Sequence, residues 1–210
     1  MTSRITRLPD PVRQYLAALR ALLVLTVLTG VLYPLVVMGI GQLAFPAQAN
    51  GSLVSAEGRV VGSSLLGQAF ADSRGNPLPQ WFQPRPSAAA NPSIKNDPGY
   101  NPLFSGASNL GPTNPDLVTS IQARRAAVAS FDGVPAVSVP ADAVTASGSG
   151  LDPDISPAYA YEQVNRVARA RGLDPAALRA LVAFHVLGRT LGILGEPRVN
   201  VVELNAALAR

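Results

Sequence analysis

The sequence predicts a single N-terminal transmembrane helix followed by one extracytoplasmic α+β domain. Three observations predict it. No charged residue lies between Arg20 and Glu57. Arg4, Arg7, Arg13 and Arg20 precede that stretch against one acid, Asp10. Beyond it, helix-spaced apolar residues mix with short β-branched runs and show no regular β-α alternation.

The arginines define a cytoplasmic tail over 1–20, because basic residues beside a span stay on the inner face. The apolar run 21–45 is the transmembrane helix: at 1.5 Å per residue, about 20 residues cross ~30 Å of hydrocarbon. Pro34 lies inside it and is expected to kink it, since proline removes a backbone donor. Gly30, Gly39 and Gly41 leave places where partner helices can approach, so with Pro34 they are subunit-interface candidates. A secretory signal peptide is the rival reading, with Ala47-Gln48-Ala49 as a small-x-small site. Its apolar region would typically be ~7–15 residues, far shorter than this run. Both readings send 46–210 to the outer side.

That remainder is nearly neutral. Of the 17 basic and 13 acidic residues, 13 and 12 fall at or beyond position 46. The only lysine is Lys95, and no basic stripe is interleaved with aromatics, so nucleic acid is not an expected partner. The chain has no cysteine, which removes disulfides, thiol catalysis and cysteine-based metal sites.

Within 46–210, strands are expected at Ser52–Val54, Val60–Val61 and Val134–Val139. Residues 72–115 hold nine of the 19 prolines and no periodic pattern, so they form an irregular loop region. Its Trp81, Phe82, Tyr100, Leu103, Phe104 and Leu110 argue for a loop packed on the domain or on a partner rather than a disordered linker. Four helices follow. Asn114 caps one that begins at Pro115 and runs to Phe131. Ser156 and Pro157 open the second, which Gly172 stops. Asp174 and Pro175 open the third. Asn200, with Glu203 at capping-box spacing, starts the last, to Arg210.

Chemistry is sparse. There is no GxxxxGK[S/T] phosphate loop. His185 is the only histidine, so no His-based metal site forms. Ser147 or Ser149, Asp152 and His185 run in the order of an α/β-hydrolase triad, but neither serine has the flanking glycines of a nucleophile elbow. The string Thr145-Ala-Ser-Gly-Ser-Gly150 before Asp152-Pro153 is either a structural turn or a polar, backbone-rich concavity at a subunit contact. The segment Gly62-Ser-Ser-Leu-Leu-Gly-Gln68 either exposes amides to a phosphate or is a turn before a helix start.

Together these strings resemble the C subunit of the Kdp potassium-transporting P-type ATPase. The matching segments are Val61–Gln68 with Phe70, Trp81–Ala88, Tyr100-Asn101, Ser105–Asn114, Val144–Pro153 with Ile155-Ser156, and Gly195–Val201 with Leu204-Asn205. Small departures are Ala107, Trp81 and Asp154, where the family often has Gly, Tyr and His. The resemblance implies a non-catalytic subunit of a high-affinity, ATP-driven potassium uptake complex in the bacterial inner membrane. Its partners would be a channel-like potassium-translocating subunit, a P-type ATPase subunit, a small peripheral subunit and membrane lipid. It implies a role in assembly and stability, and one as a catalytic chaperone that raises ATP affinity of the ATPase subunit. It implies no cofactor of its own, but an ATP contact in a ternary complex at Ser64, Gly67 and Gln68. Those residues lie beyond the span, opposite cytoplasmic ATP, so the topology favours coupling through the membrane over direct contact. Asn109, Ser147, Ser149 and Asp152 join the subunit-interface candidates. The alternatives are a membrane-tethered periplasmic solute-binding protein and a membrane-anchored serine hydrolase.

Overall fold

A computed structural model describes residues 9–209 of the chain. Arg4, Arg7 and Arg210 lie outside the described residues. The chain divides into two compact units, 1–51 and 52–210.

The first unit is one continuous helix with a short appendix. α1 (Asp10–Val27), a π-helical turn (Leu28–Leu32) and α2 (Tyr33–Ala44) follow without a break. Pro11–Ala44 is long and apolar enough to cross a membrane, and none of its most apolar stretch is buried within the protein. Helix begins well before the apolar run, taking in Arg13 and Arg20. The response to Pro34 is a widened turn. Pro34 donates no hydrogen bond, and just before it the Tyr33 amide reaches back five residues to the Leu28 carbonyl. A one-turn helix, α3 (Pro46–Ala49), ends the unit.

The second unit is the α+β domain. β1 (Leu53–Ala56) and β2 (Arg59–Ser63) form an antiparallel hairpin. Its central residues Glu57 and Gly58 have φ of 50° and 74°, as a type I′ turn requires. No helix follows Gly62-Ser63-Ser64; Ser63 and Leu66 close a small bridge, and the chain runs on irregularly to α4 (Pro115–Asp132). After α4 come β3 (Asp154–Ile155), α5 (Pro157–Arg171), α6 (Pro175–Phe184), β4 (Val186–Leu187), β5 (Arg198–Asn200) and α7 (Val201–Leu208). The three short strands form an antiparallel sheet in the order β3-β5-β4.

The caps explain the helix starts. Asn114 Oδ1 accepts from the Asp116 amide at 2.8 Å, and Ser156 Oγ from Tyr159 at 3.1 Å. Asp174 accepts from Ala176 and Ala177, and Asn200 from Val202 and Glu203. Gly133 and Gly172 end α4 and α5 in the left-handed conformation, φ 72° and 66°.

The expected strand at Val134–Val139 is absent. Pro135 has no amide to give a ladder, and Ser138 turns back to bond the Pro135 carbonyl through both amide and hydroxyl. Val137 is 94% exposed while Val139 is buried, so the run covers the surface rather than pairing.

The core is a stripe of α5 (Tyr159, Ala160, Val164, Val167, Ala168) against Leu178 and Val182 of α6, Val199 of β5 and Leu204 of α7. Each such large side chain contributes about 1.5–3 kcal/mol through burial.

Candidate functional site

Three buried polar side chains clamp the first part of the irregular region. Asn205 Oδ1 accepts from the Phe82 amide at 2.9 Å, and its Nδ2 donates to the Phe82 carbonyl at 2.9 Å. Gln163 does the same for Gln83, at 2.6 and 3.1 Å. Each amide side chain therefore stands in for a neighbouring strand, satisfying backbone groups that no sheet reaches. Arg166 donates to the carbonyls of Pro79 and Trp81, to Gln163 Oε1 and to Asp132 Oδ1, and its guanidinium lies 4.4 Å from the Phe131 ring centroid. Phe82 is thereby held fully buried in the core. Arg171 covers Trp81 at 4.2 Å. Of the apolar residues in this loop, Phe82 and Tyr100 are buried in the domain, whereas Leu103 and Phe104 are exposed.

The second part wraps around 145–153. Ser87 Oγ donates to the Gly150 carbonyl at 2.6 Å, and the Ala89 and Tyr100 amides donate to that hydroxyl at 3.0 and 2.9 Å. Tyr100 Oη donates to the Arg85 carbonyl at 2.8 Å, and burial pushes this phenol above its ordinary range. Arg85 pairs with Asp152 at 3.0 Å. The Ser149 carbonyl accepts from the Gly106 amide and from Ser105 Oγ. The Gly67 amide donates to the Leu151 carbonyl at 2.8 Å. Gly150 has φ 68° and passes so close to Ala89 and Gly106 that a Cβ would sit 2.7–2.8 Å from them. Gly67 likewise leaves no room, because a Cβ would strike the Tyr100 ring and the Asp152 carbonyl.

The expected site residues fall into place as follows. Gln68 Nε2 donates to the Val61 carbonyl at 2.7 Å, so its side chain closes back on the β1–β2 hairpin. Ser64 accepts from Asn200 Nδ2 at 2.7 Å and donates its amide to Ser52. Ser147 is buried, and its hydroxyl accepts from the Gly150 amide. Ser149 is exposed, with its hydroxyl taking the Leu151 amide. Asp152 also caps the Asp154 amide. The Thr145–Gly150 string is therefore a tightly bonded turn, and it also borders a concavity of about 420 Å³ with Leu65, Leu66 and Asp152. Asn109 is exposed with φ 53°. In the long helix, Gly30 lies in the π-helical turn, a Cβ at Gly39 would meet open space, and one at Gly41 would touch Ala49. His185 follows the last residue of α6 as its C-cap, with Nδ1 2.9 Å from the Leu181 carbonyl. Ser147, Asp152 and His185 each bond elsewhere and form no triad.

An exposed apolar rim flanks the two segments bonded to this turn, at Gly67 and at Ser105-Gly106. Leu65 and Leu103 are 63% and 87% exposed, and Leu66 and Phe104 are exposed beside them. Leu103 and Phe104 sit on a short 3₁₀ turn, Pro102–Phe104, which Asn101 caps. Leu103 and Phe104 belong to the aromatic-rich loop expected to pack on the domain or on a partner; Leu65 and Leu66 carry no period and are marked only by the family string that holds them.

One carboxyl is unusual. Glu162 on α5 has a buried Oε1 with no hydrogen-bond partner among the described residues. Burial, then the charges of Asp132 and Asp142, push its pKa up to about 7. Burial also raises Asp132, against the opposing bond from Arg166.

Comparison with known proteins matches the chain over nearly its whole length. Residues 15–210 fit the family model described as the K+-transporting ATPase, c chain. A potassium-transporting ATPase KdpC subunit from Kineococcus radiotolerans is 53% identical, over 96% of this chain and 95% of its own. KdpC subunits from Streptomyces coelicolor and Sorangium cellulosum are 50% and 56% identical, over 97% and 91% of this chain and 95% and 94% of theirs. By these matches this chain is a member of the KdpC family, the c chains of potassium-transporting ATPases.

Proposed function

We propose that the chain is a non-catalytic subunit that holds a bacterial potassium pump together and raises the ATP affinity of its ATPase subunit from across the membrane. The long helix packs against partner helices through Gly30, Gly39 and Gly41 beside the Pro34 turn. Its basic N-terminal side stays in the cytoplasm and the α+β domain stands outside the inner membrane. The domain seats its 145–153 turn, with the Leu65, Leu66, Leu103 and Phe104 rim, on a channel-like subunit. The pump's P-type ATPase subunit and a small peripheral subunit complete the complex.

One observation carries this reading. The polar groups of the family strings are spent inside the domain, on one another's backbone, while apolar side chains point out of the same loop cluster. A catalytic or nucleotide site turns polar groups outward; a docking surface has this pattern of apolar centre and internally braced backbone. Gln68 then acts by bracing the hairpin, and its influence on ATP is a coupling between distant sites.

The test is potassium-stimulated ATPase activity of the partner subunits purified with and without this chain. With the chain present, the complex assembles and its apparent ATP affinity is higher. Equal assembly and equal ATP affinity without it contradict the proposal.

A further inference from the structure

A second exposed apolar surface lies where the chain enters the domain. Leu53 and Phe184 line one cleft of about 550 Å³, together with Leu181, His185, Glu203 and Ala206. Phe184 is 85% exposed and Leu53 60% exposed. Phe184 is the last residue of α6, and Leu53 is the first of β1. Neither belongs to the loop cluster described above.

The position of Leu53 in the chain says what this surface meets. Only residues 45–51 lie between the end of the long apolar helix and the domain. At no more than about 3.6 Å per residue this is a short leash. An exposed phenylalanine is costly in water, and aromatic and aliphatic tips gain free energy at a membrane interface. Tethering makes the contact intramolecular, with an effective concentration on the order of millimolar, so a contact too weak to hold a free domain is still populated. We propose that this end of the domain rests on the bilayer leaflet on its own side, with Phe184 and Leu53 among the lipid chains. His185 and Glu203 at the cleft then lie level with the headgroups. This rests on Pro11–Ala44 being a membrane span.

The chain has no cysteine, so a single introduced cysteine takes a nitroxide uniquely. Phe184→Cys, Leu53→Cys and, as a water-facing control, Val137→Cys are made in the full chain, and each is reconstituted alone into phosphatidylcholine vesicles. Collision rates with oxygen, which concentrates in lipid, and with a water-soluble nickel chelate are then measured. The proposal expects labels at 184 and 53 to show severalfold less nickel contact and more oxygen contact than the label at 137. Nickel contact at both equal to that at 137 overturns it. So does protection that arises only when partner subunits are added, which would make the cleft a protein-docking surface. Alkaline carbonate washing of the same vesicles separates the two premises: a chain that washes off removes the span, and this inference with it, while a retained chain with water-exposed labels refutes the inference alone.

Discussion

The two halves of the α+β domain are held by different physics. Residues 154–209 form short strands and capped helices around an apolar stripe, with Val164, Val199 and Leu204 fully buried. Residues 64–153 contain one long helix and a large irregular remainder, held by Arg166, Gln163, Asn205, Ser87 and Arg85. The first half is stabilised by apolar area, which tolerates volume-conserving exchange. The second depends on a few polar side chains, each of which satisfies several backbone groups at once. Losing one strands all of its partners.

That contrast is tested most strongly at Arg166. Arg166→Ala leaves Asp132 buried and unpaired and frees the Pro79 and Trp81 carbonyls. A loss of about 3–5 kcal/mol is expected in urea denaturation of the detergent-solubilised full chain. Leu204→Ala, in the apolar half, should cost about 2–5 kcal/mol through its cavity. The two differ in kind: Leu204→Met should recover most of the second loss, whereas Arg166→Met should leave the 79–83 segment open to protease. Recovery in both would break the comparison.

Asn205→Ala sharpens it. The variant leaves the Phe82 amide and carbonyl without partners, at about 1–3 kcal/mol per stranded group. Asn205→Asp keeps the acceptor for the amide but sets a buried carboxylate against the Phe82 carbonyl, so at neutral pH its cost should exceed that of Ala and should fall as acid protonates the carboxyl.

A smaller effect is expected from pH. The Glu162 carboxyl holds its proton more tightly when folded than when unfolded. Its contribution is therefore full below the ordinary carboxylate range and is lost as pH rises through about 7. Raised Asp132 acts in the same direction. Glu162→Gln should flatten the fall in melting temperature between acidic and mildly alkaline solution and should stabilise the chain at alkaline pH. An unchanged slope would show that another group controls it.

Much of the helical structure in both halves was legible in the sequence. Asn114-Pro115, Ser156-Pro157, Asp174-Pro175 and Asn200 each announce a helix through a local cap, and Gly172 announces a stop. The β1–β2 hairpin was also within reach, since Val54 and Val60 flank a Glu-Gly turn. The sheet of β3, β4 and β5 was not, because strands of two or three residues carry no period. Val134–Val139 has the β-branched composition of a strand, but Pro135 within it and Pro140 after it prevent pairing. In the loop half, composition revealed a packed loop but not its clamps. Asn205 and Phe82 lie 123 positions apart, and nothing local marks an asparagine as a strand surrogate. The family strings located the candidate site, but which of their side chains turn inward is a matter of three-dimensional bonding.

On the proposed function, the rim beside the 145–153 turn joins this chain to its complex. The direct measurement is co-purification of tagged partner subunits with Leu65→Asp/Leu103→Asp, two exposed positions whose replacement leaves every described clamp intact. The account predicts a chain that keeps wild-type melting behaviour yet assembles at least about tenfold more weakly, as expected when apolar anchors worth more than ~1.4 kcal/mol are lost. Wild-type assembly by that variant would contradict it.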